Sequence, residues 1–303
     1  MSQLVGDAFV VVRSTVCASG GLGFMGDPIP AISESEATGL IAEIFADIRH
    51  VYRVGVVNLI WRHLATIPGG LPWVWSTIRP LYVNRTVSQE AAALRAALSL
   101  PELPPWPVAA LISAGLQDKD IAGIRTVLAA YDRTNAMALI AFLAVQFRLE
   151  RVPLPADVVV CAPIPVPAEP ERELPLPPLL ALPDMSTSTA ELVLAINGLG
   201  AIHRDPILAS MYRHLAHWPA YLALVWTVLA PVKLDQRLDR AIEDAIAQAR
   251  GRARCLAAQL PTPLPAIRPV TARAVARAID RFTGDVIAKM VVICSLLRRL
   301  TDS

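Results

Sequence analysis

Apolar side chains recur every three or four positions through most of the chain, which is the spacing of one buried face of an α-helix. The pattern is clearest after Ser33 and Glu36, a hydroxyl residue and a glutamate three positions later that form a capping-box signal. The apolar positions that follow are Leu40, Ile41, Ile44, Phe45, Ile48 and Val51. This stretch therefore predicts the first helix of an all-α protein.

The helical spacing continues in both halves of the chain. In the first half it predicts helices over residues 54–65, from 68 or 71 to 80, and over 89–99, 106–115, 118–130 and 135–148. In the second half, residues 184–188 supply a helix cap, and helices are predicted over 189–199, 206–216, 219–229, 235–260 and 271–300. The fold class predicted is all-α.

A segment that begins at Arg62 returns, partly unchanged, at Arg213. The identical pairs, all 151 positions apart, are Arg62/Arg213, His63/His214, Leu64/Leu215, Ala65/Ala216, Pro68/Pro219, Leu71/Leu222, Val74/Val225 and Trp75/Trp226. This period is too long for a solenoid, and it indicates one domain-sized unit that was duplicated and fused. The chain is therefore predicted to hold two pseudosymmetric helical repeats.

A proline-rich stretch separates the two predicted repeats. Residues 152–183 contain ten prolines, a density that forbids helix interiors and is typical of an extended, semi-rigid tether. The predicted organisation is an N-terminal tail over residues 1–30, a first helical repeat over 31–151, a linker over 152–183 and a second repeat over 184–303.

The tail contains one motif that formally matches a dinucleotide-binding fingerprint. Gly21, Gly23 and Gly26 have the G-x-G-x-x-G spacing, but Pro28 and Pro30 follow where the fingerprint requires the start of a helix. Two prolines so close together favour a turn or an extended segment. We therefore interpret this motif as part of a loop, and no cofactor is expected.

The composition is unusually apolar. Hydrophobic residues make up 54% of the chain against 18% charged residues, and the mean hydropathy is +0.47. The longest uncharged apolar runs, residues 134–147 and 218–232, are shorter than the ~18 residues that indicate a spanning helix. The surplus of apolar residues instead predicts broad helix contacts between the halves and between subunits, in a homodimer that does not enter a membrane.

Charge and cysteine placement narrow the function further. A formal net charge of +2 with no basic block indicates no nucleic-acid partner. The four cysteines, Cys17, Cys161, Cys255 and Cys294, include no Cys-x-x-Cys pair, so neither a metal site nor a disulfide framework is predicted. Asp7 stands where a signal peptide would carry basic residues, which favours a cytoplasmic protein.

Several separate segments together resemble a known enzyme family. They are residues 45–49 (Phe-Ala-Asp-Ile-Arg), 54–72 with its Leu-Ala-Thr-Ile-Pro-Gly run, 216–219 (Ala-His-Trp-Pro), 229–231 (Leu-Ala-Pro), and Arg281, Phe282 and Asp285. In this order they resemble the group I 2-haloacid dehalogenases over nearly everything from residue 35 to residue 300. The resemblance implies two fused pseudosymmetric helical halves, with the active site in the cleft between them, in a protein that is usually dimeric.

The resemblance also implies a mechanism. In this family an aspartate and an asparagine position a water molecule that attacks the 2-carbon of the haloacid directly, with inversion of configuration, no ester intermediate and no metal. Such a site needs a carboxylate that takes a proton from water, an amide that orients the water, donors for the substrate carboxylate and an apolar pocket for the halogen.

Some family positions are matched in this chain and others are not. The resemblance places Asn135 at the water-orienting asparagine and Ser210 at the serine beside the catalytic aspartate. It places Met211 at the aspartate itself, and Val56 and Leu59 at two aromatic positions of the pocket. Ser210, Met211, Val56 and Leu59 are therefore the predicted substrate-binding residues, and Asn135 is predicted to be catalytic.

A replacement for the missing carboxylate has one close candidate in the sequence. Asp205 lies six residues before Met211, and it either serves as the catalytic base or caps a helix that begins at Pro206. Asp47 and Arg49 are interpreted as members of ion pairs that organise the fold. Because both halves keep the arginine and the histidine, we expect His63 and His214 to brace helix ends, and at most one of Arg62 and Arg213 to bind a carboxylate.

The sequence thus predicts a 2-haloacid dehalogenase-like hydrolase that acts on a small 2-substituted carboxylic acid by direct water attack. The alternative is a non-catalytic relative that binds a small ligand or serves a structural role, because Met211 cannot act as a base. A third hypothesis is hydrolysis of another small acid with a displaced base. The discriminating feature is a carboxylate within hydrogen-bond distance of Asn135.

Overall fold

The computed structural model describes residues 29–154 and 175–302. Within these two ranges the chain forms α-helices joined by turns and extended segments, and no residue lies in a β-strand. The predicted all-α fold class is therefore confirmed. The glycine motif at residues 21–26 and residues 155–174 of the predicted linker lie outside the described residues.

Six helices form the first half of the molecule. They are α1 (Gly39–Tyr52), α2 (Leu59–Leu64), α3 (Gly70–Val83), α4 (Thr86–Ala97), α5 (Val108–Ser113) and α6 (Asp118–Leu149). The capping box predicted at Ser33 and Glu36 is present, since the backbone N–H of each residue donates to the side chain of the other. It closes a turn before α1, however, and does not start the helix.

Six helices also form the second half. They are α7 (Thr187–Gly198), α8 (Ser210–Leu215), α9 (Pro219–Leu234), α10 (Arg237–Gln259), α11 (Pro269–Arg281) and α12 (Ile287–Thr301). The cap predicted within residues 184–188 is confirmed, because the Ser186 hydroxyl accepts the backbone N–H of Thr189 at 3.2 Å. A π-helical turn, Phe282–Val286, joins α11 to α12.

The prediction of two helices over residues 118–130 and 135–148 is wrong. They form one helix of 32 residues, α6. The polar residues between them suggested a break, but Asp132, Thr134 and Asn135 are all buried inside the fold. Partners from distant parts of the chain satisfy this polar run, and sequence spacing alone does not reveal those partners.

The predicted start of a helix at residue 206 is also wrong. Residues 206–209 are extended and α8 begins at Ser210, with Ala209 as its N-cap. The buried Asn197 side chain holds this segment, since it donates to the carbonyl of Ile207 and accepts the N–H of Ala209 at 3.0 Å. Asp205 is therefore not a helix cap.

Helix α6 is the centre of the molecule. It packs most extensively against α12 and α10 of the second half, and then against α4 of its own half. By length and composition α6 could cross a membrane, but 89% of its apolar window is buried inside the protein, as in the core helix of a globular fold. The two halves therefore share one hydrophobic core.

The interactions predicted to organise the fold are present. The Asp47 carboxylate accepts two hydrogen bonds from Arg79, at 2.6 and 2.9 Å, and one from Trp75, while Arg49 pairs with Glu34. These contacts tie α1 to α3 and to the segment that precedes α1.

The two related histidines make equivalent contacts. Nδ1 of His63 lies 2.7 Å from the carbonyl oxygen of Pro30, and Nδ1 of His214 lies 2.8 Å from that of Pro177. Since a carbonyl oxygen only accepts, each Nδ1 carries the proton and donates. Each histidine thus contacts the extended segment before its own half, and not a helix end as the sequence predicts.

Candidate functional site

A cavity of about 40 Å³ lies where helices of the two halves meet. Its walls come from the start of α2, the middle of α6, the segment that leads into α8, and the π-helical turn with the first part of α12. The lining residues are Asn58, Leu59, Ile60, Tyr131, Asn135, Ala138, Leu208, Ala209, Ser210, Met211, Phe282, Val286, Ile287 and Met290.

Different helices contribute the polar and the apolar side chains of the cavity wall. Asn58, Tyr131, Asn135 and Ser210 supply its polar side chains, from α6 and the starts of α2 and α8. The π-helical turn and α12 supply only apolar side chains, because successive cavity-facing positions there are Phe282, Val286 and Met290. This division suits a small ligand with one polar end and one apolar end.

Four of the residues predicted from the sequence line this cavity. They are Leu59, Asn135, Ser210 and Met211. Val56 does not line it, because it lies half-buried in the bend before α2. Asp205 does not line it either, because it is exposed in a bend at residues 203–205. A base at Asp205 stays a prediction that this placement does not favour.

Two sulfur atoms lie beside Asn135. The amide of Asn135 donates to the Cys294 sulfur at 3.5 Å, and the Cys294 thiol lies 3.3 Å from the thioether sulfur of Met211. Burial raises the pKa of Cys294 well above its usual value, and the negative charge of Asp132 adds to this effect. The thiol is therefore neutral, and neither sulfur accepts a proton from water at neutral pH.

Two polar groups on the cavity wall have no hydrogen-bond partner in the fold. The hydroxyl of Tyr131 and the side-chain oxygen of Asn58 are both buried and unpartnered. The Asn58 amide nitrogen is used, since it donates to the hydroxyl of Thr134 at 3.3 Å. Buried polar groups are normally satisfied, so these two atoms mark places where a ligand or water binds.

Two buried arginines, Arg62 and Arg213, lie on the helices α2 and α8 that contribute to the cavity wall. Arg62 and Arg213 are 5% and 7% exposed, and their Nε atoms donate to the carbonyl oxygens of Val57 and Leu180. Burial raises the pKa of the Tyr131 hydroxyl, and the charges of Arg62 and Arg213 act in the opposite direction.

None of the lining residues is an aspartate, a glutamate or a histidine. Two buried carboxylates lie near the cavity wall along the chain. Asp132, one turn before Asn135 on α6, accepts hydrogen bonds from Arg95, Arg298 and Ser295. Because these donors occupy its oxygens, Asp132 is a weak candidate for proton transfer.

Asp285 is the other buried carboxylate. It directly precedes Val286 in the π-helical turn, it is 2% exposed, and neither oxygen has a hydrogen-bond partner. Lys289, four residues later, is fully buried and donates to the carbonyl of Asn197 at 2.6 Å. Burial lowers the pKa of Lys289 to about 8, and Asp285 opposes this effect. π-Helical turns are frequent at functional sites, and this one carries a buried carboxylate beside the cavity wall.

The chain is 30% identical over 212 residues to a configuration-inverting 2-haloacid dehalogenase of Alcaligenes xylosoxydans xylosoxydans. The matched region covers 67% of this chain and 69% of that protein. The chain belongs to the 2-haloacid dehalogenase family. The resemblance inferred from the sequence is therefore confirmed.

Solved structures show the same fold. A D-2-haloacid dehalogenase mutant and the complex of a D-2-haloacid dehalogenase with L-LA each superpose on this chain with a TM-score of 0.70, at 17% identity, over 91% of this chain and 99% of theirs. A mutant in complex with D-2-CPA gives a TM-score of 0.65. No family model matches the chain.

Sequence reasoning missed part of the site. Tyr131 and Asn58 carry the unpartnered polar atoms, and Phe282, Val286 and Met290 form the apolar wall. A helical spacing argument would have found Tyr131, since it lies four residues before Asn135 and thus on the same face of α6. The apolar wall carries no local signal, because such residues look the same in any core helix.

Proposed function

We propose that this protein is a hydrolase of the 2-haloacid dehalogenase type that acts on a small 2-substituted carboxylic acid. The observation that carries the proposal is the cavity between the two halves, with Asn135 and Ser210 on its polar side and an apolar wall opposite. Family membership supports the same reaction. Among known family members, one relative is named as configuration-inverting.

The reaction needs three events at one carbon atom. A water molecule forms a bond to the 2-carbon, the carbon–halogen bond breaks with its electron pair leaving on the halide, and the water gives up a proton. Attack from the side opposite the halogen inverts the configuration. Asn135 is assigned the orientation of the water, and the apolar side chains of the π-helical turn and α12 are assigned the halogen.

The proton acceptor in this proposal is a carboxylate at a position other than 211. The thioether of Met211 is not basic, whereas Asp285 is a buried carboxylate with both oxygens unpartnered. Asp285 is therefore the first residue to test as the base, with Asp205 and Asp132 as the comparison. Replacement by asparagine keeps the shape of each side chain and removes its ability to accept a proton.

The test is halide release from each enantiomer of 2-chloropropionate. We expect release by the wild-type protein and a loss of about 100-fold or more in Asn135→Ala, because a positioned amide contributes on that scale. Asn84→Ala, at an exposed position after α3, is the control. A folded wild-type protein that releases halide from neither enantiomer would overturn the proposal for this substrate and favour a cavity that binds without turnover.

We also infer that the protein is a cytoplasmic homodimer whose two halves arose by duplication. The apolar composition supports subunit contact, as do large apolar side chains that stay exposed, which include Leu40, Ile202, Leu234 and Val270. Light scattering on the purified protein tests the dimer. A mass of one chain, 32.6 kDa, at micromolar concentration would contradict it.

A further inference from the structure

The side chain of Met211 brings a nucleophilic sulfur to the cavity wall. Met211 lines the cavity and is fully buried. Its thioether sulfur accepts a hydrogen bond from the Cys294 thiol, with 3.3 Å between the two sulfur atoms. This bond uses one of the two lone pairs of the thioether and leaves the other. The Met211 sulfur therefore has an electron pair that it can donate to carbon, although it does not take a proton from water.

The acid of the proposed function is itself an alkylating agent. Its 2-carbon carries a halogen that leaves with an electron pair, so a nucleophile held against that carbon can displace it. A thioether reacts without first losing a proton. A thiol reacts as its thiolate, and burial keeps the Cys294 thiol protonated because it raises the pKa of that group. Of the two sulfur atoms in contact, that of Met211 is therefore the one expected to react.

The position of Met211 suits displacement from the side opposite the halogen. The proposed function assigns the halogen to the apolar wall, to which Met290 belongs, so Met290 lies on the side of the leaving group. Met211 instead follows Ser210 at the start of α8, in another part of the wall. Of the two methionines among the described lining residues, Met211 is therefore the one placed to attack the 2-carbon.

We propose that Met211 is an alkylation site, at which a 2-haloacid becomes covalently bound to the protein. The sulfur lone pair forms a bond to the 2-carbon, the carbon–halogen bond breaks with its electron pair leaving on the halide, and no proton moves. The product is a sulfonium cation whose new substituent carries a carboxylate, so the two charges of the adduct offset each other. The proposal rests on the proposed function for the entry of a 2-haloacid into the cavity, and it makes such acids inactivators as well as substrates.

Bromoacetate is the probe for this site, because its 2-carbon carries no further substituent that would hinder attack. The full-length protein is treated at about pH 6, where few thiols are thiolates, and mass spectrometry of its peptides identifies the labelled residues. We expect Met211 to be labelled about tenfold faster than Met185, because the cavity holds the acid against the Met211 sulfur. Exposure alone predicts the reverse order, since Met185 is half-buried and Met211 is fully buried.

Met290→Leu is the matched control for Met211→Leu. Both changes replace a thioether of the cavity wall by an apolar side chain of similar volume. Met290→Leu should keep the label on Met211, and unfolding in urea should abolish the preference for Met211 over Met185. Label on Met290 or Cys294 in place of Met211, labelling of Met211 no faster than that of Met185, or a preference that persists in urea would overturn the proposal.

The products of the same reaction separate this proposal from the proposed function. Repeated release of bromide with glycolate, and no label on Met211, would contradict alkylation and support hydrolysis. A label on Met211 with one bromide per chain and no glycolate would support alkylation and contradict hydrolysis. If both reactions occur, the loss of activity should parallel the accumulation of label on Met211, and activity that stays constant in fully labelled protein would contradict inactivation at this site.

Discussion

Met211 is the residue at which the resemblance predicts a catalytic aspartate, and a thioether stands there instead. It is fully buried, it lines the cavity, and its sulfur contacts the Cys294 thiol at 3.3 Å. A carboxylate at this position would lie on the same wall as Asn135 and Ser210. The resemblance identified the position from the sequence, but only the structure shows that sulfur fills the space around it.

Met211→Asp is therefore expected to increase halide release. A carboxylate placed to take a proton from water contributes about 100-fold or more in rate. The same change lowers the free energy of unfolding, because it buries a charge among sulfur and apolar atoms. Met211→Asn is the control, since it has a similar shape and no basic oxygen. Equal halide release by the two variants would show that position 211 does not act on the water.

The buried side chain of His214 makes the free energy of unfolding depend on pH. It is 2% exposed, its Nδ1 donates to Pro177, and its Nε2 has no partner. Burial lowers its pKa from 6.5 to about 4. Between these values the unfolded chain binds the proton and the folded chain does not, so the free energy of unfolding falls as the pH falls from 6.5 towards 4.

Urea unfolding at pH 7.5 and pH 5 measures this effect. The wild type is expected to lose up to about 2 kcal/mol at the lower pH through this group. His214→Gln should reduce the difference between the two pH values. The same pH difference in His214→Gln and wild type would contradict the assignment.

At the scale of elements, the sequence predicts which stretches are helical better than where helices begin and join. Apolar spacing found each described helix, because one buried face leaves a local signal. It divided α6 at the polar residues near Asp132, and it started α2 too early at Val54 and α8 too early at Pro206. The errors in α6 and α8 have one cause: Arg95, Arg298 and Asn197 satisfy polar groups from far along the chain, and local patterns do not include them.

The predicted site residues follow the same rule. Asn135 and Leu59 reach the cavity because the helices that carry them are central and buried. Val56 and Asp205 do not reach it, because each lies in a bend outside a helix. In a bend, the spacing of a residue from a family motif does not determine where its side chain points. The residues that the resemblance places at the site therefore line the cavity where they belong to a helix, and they do not line it where they lie in a bend.

Asp132→Ala tests the network that keeps α6 continuous. The change leaves Arg95 and Arg298 without their shared carboxylate, and breaking a buried pair in this way costs about 3–5 kcal/mol of unfolding free energy. Asp302→Ala is the matched control, because Asp302 pairs with the same Arg298 on the surface, where a pair contributes less than about 1 kcal/mol. Urea unfolding compares the two variants, and similar losses would refute the role of Asp132.

At the scale of the whole molecule, the duplicated sequence predicts two domains, but the packing joins them. Helix α6 of the first half has its largest contacts with α12 and α10 of the second. The cavity that contains Asn135 also takes its walls from both halves. A site of this kind forms only when the two halves are folded against each other.

Unfolding of the whole chain is expected to be a single cooperative transition. Urea curves followed by far-UV circular dichroism, which reports all helices, and by the fluorescence of the six tryptophans, which lie in both halves, should coincide. Midpoints that differ between the two probes would indicate halves that unfold separately, and they would contradict a shared core.

The most direct test of the account is one turnover of 2-chloropropionate in water labelled with oxygen-18, with protein in excess over substrate. Direct attack by water in the cavity predicts lactate of inverted configuration that carries the label in its hydroxyl group, together with one chloride for each lactate. Unlabelled lactate would mean that a protein oxygen attacks the carbon, and no lactate from a folded protein would mean that the cavity does not dehalogenate this acid. Either result would contradict hydrolysis by the mechanism proposed for this site.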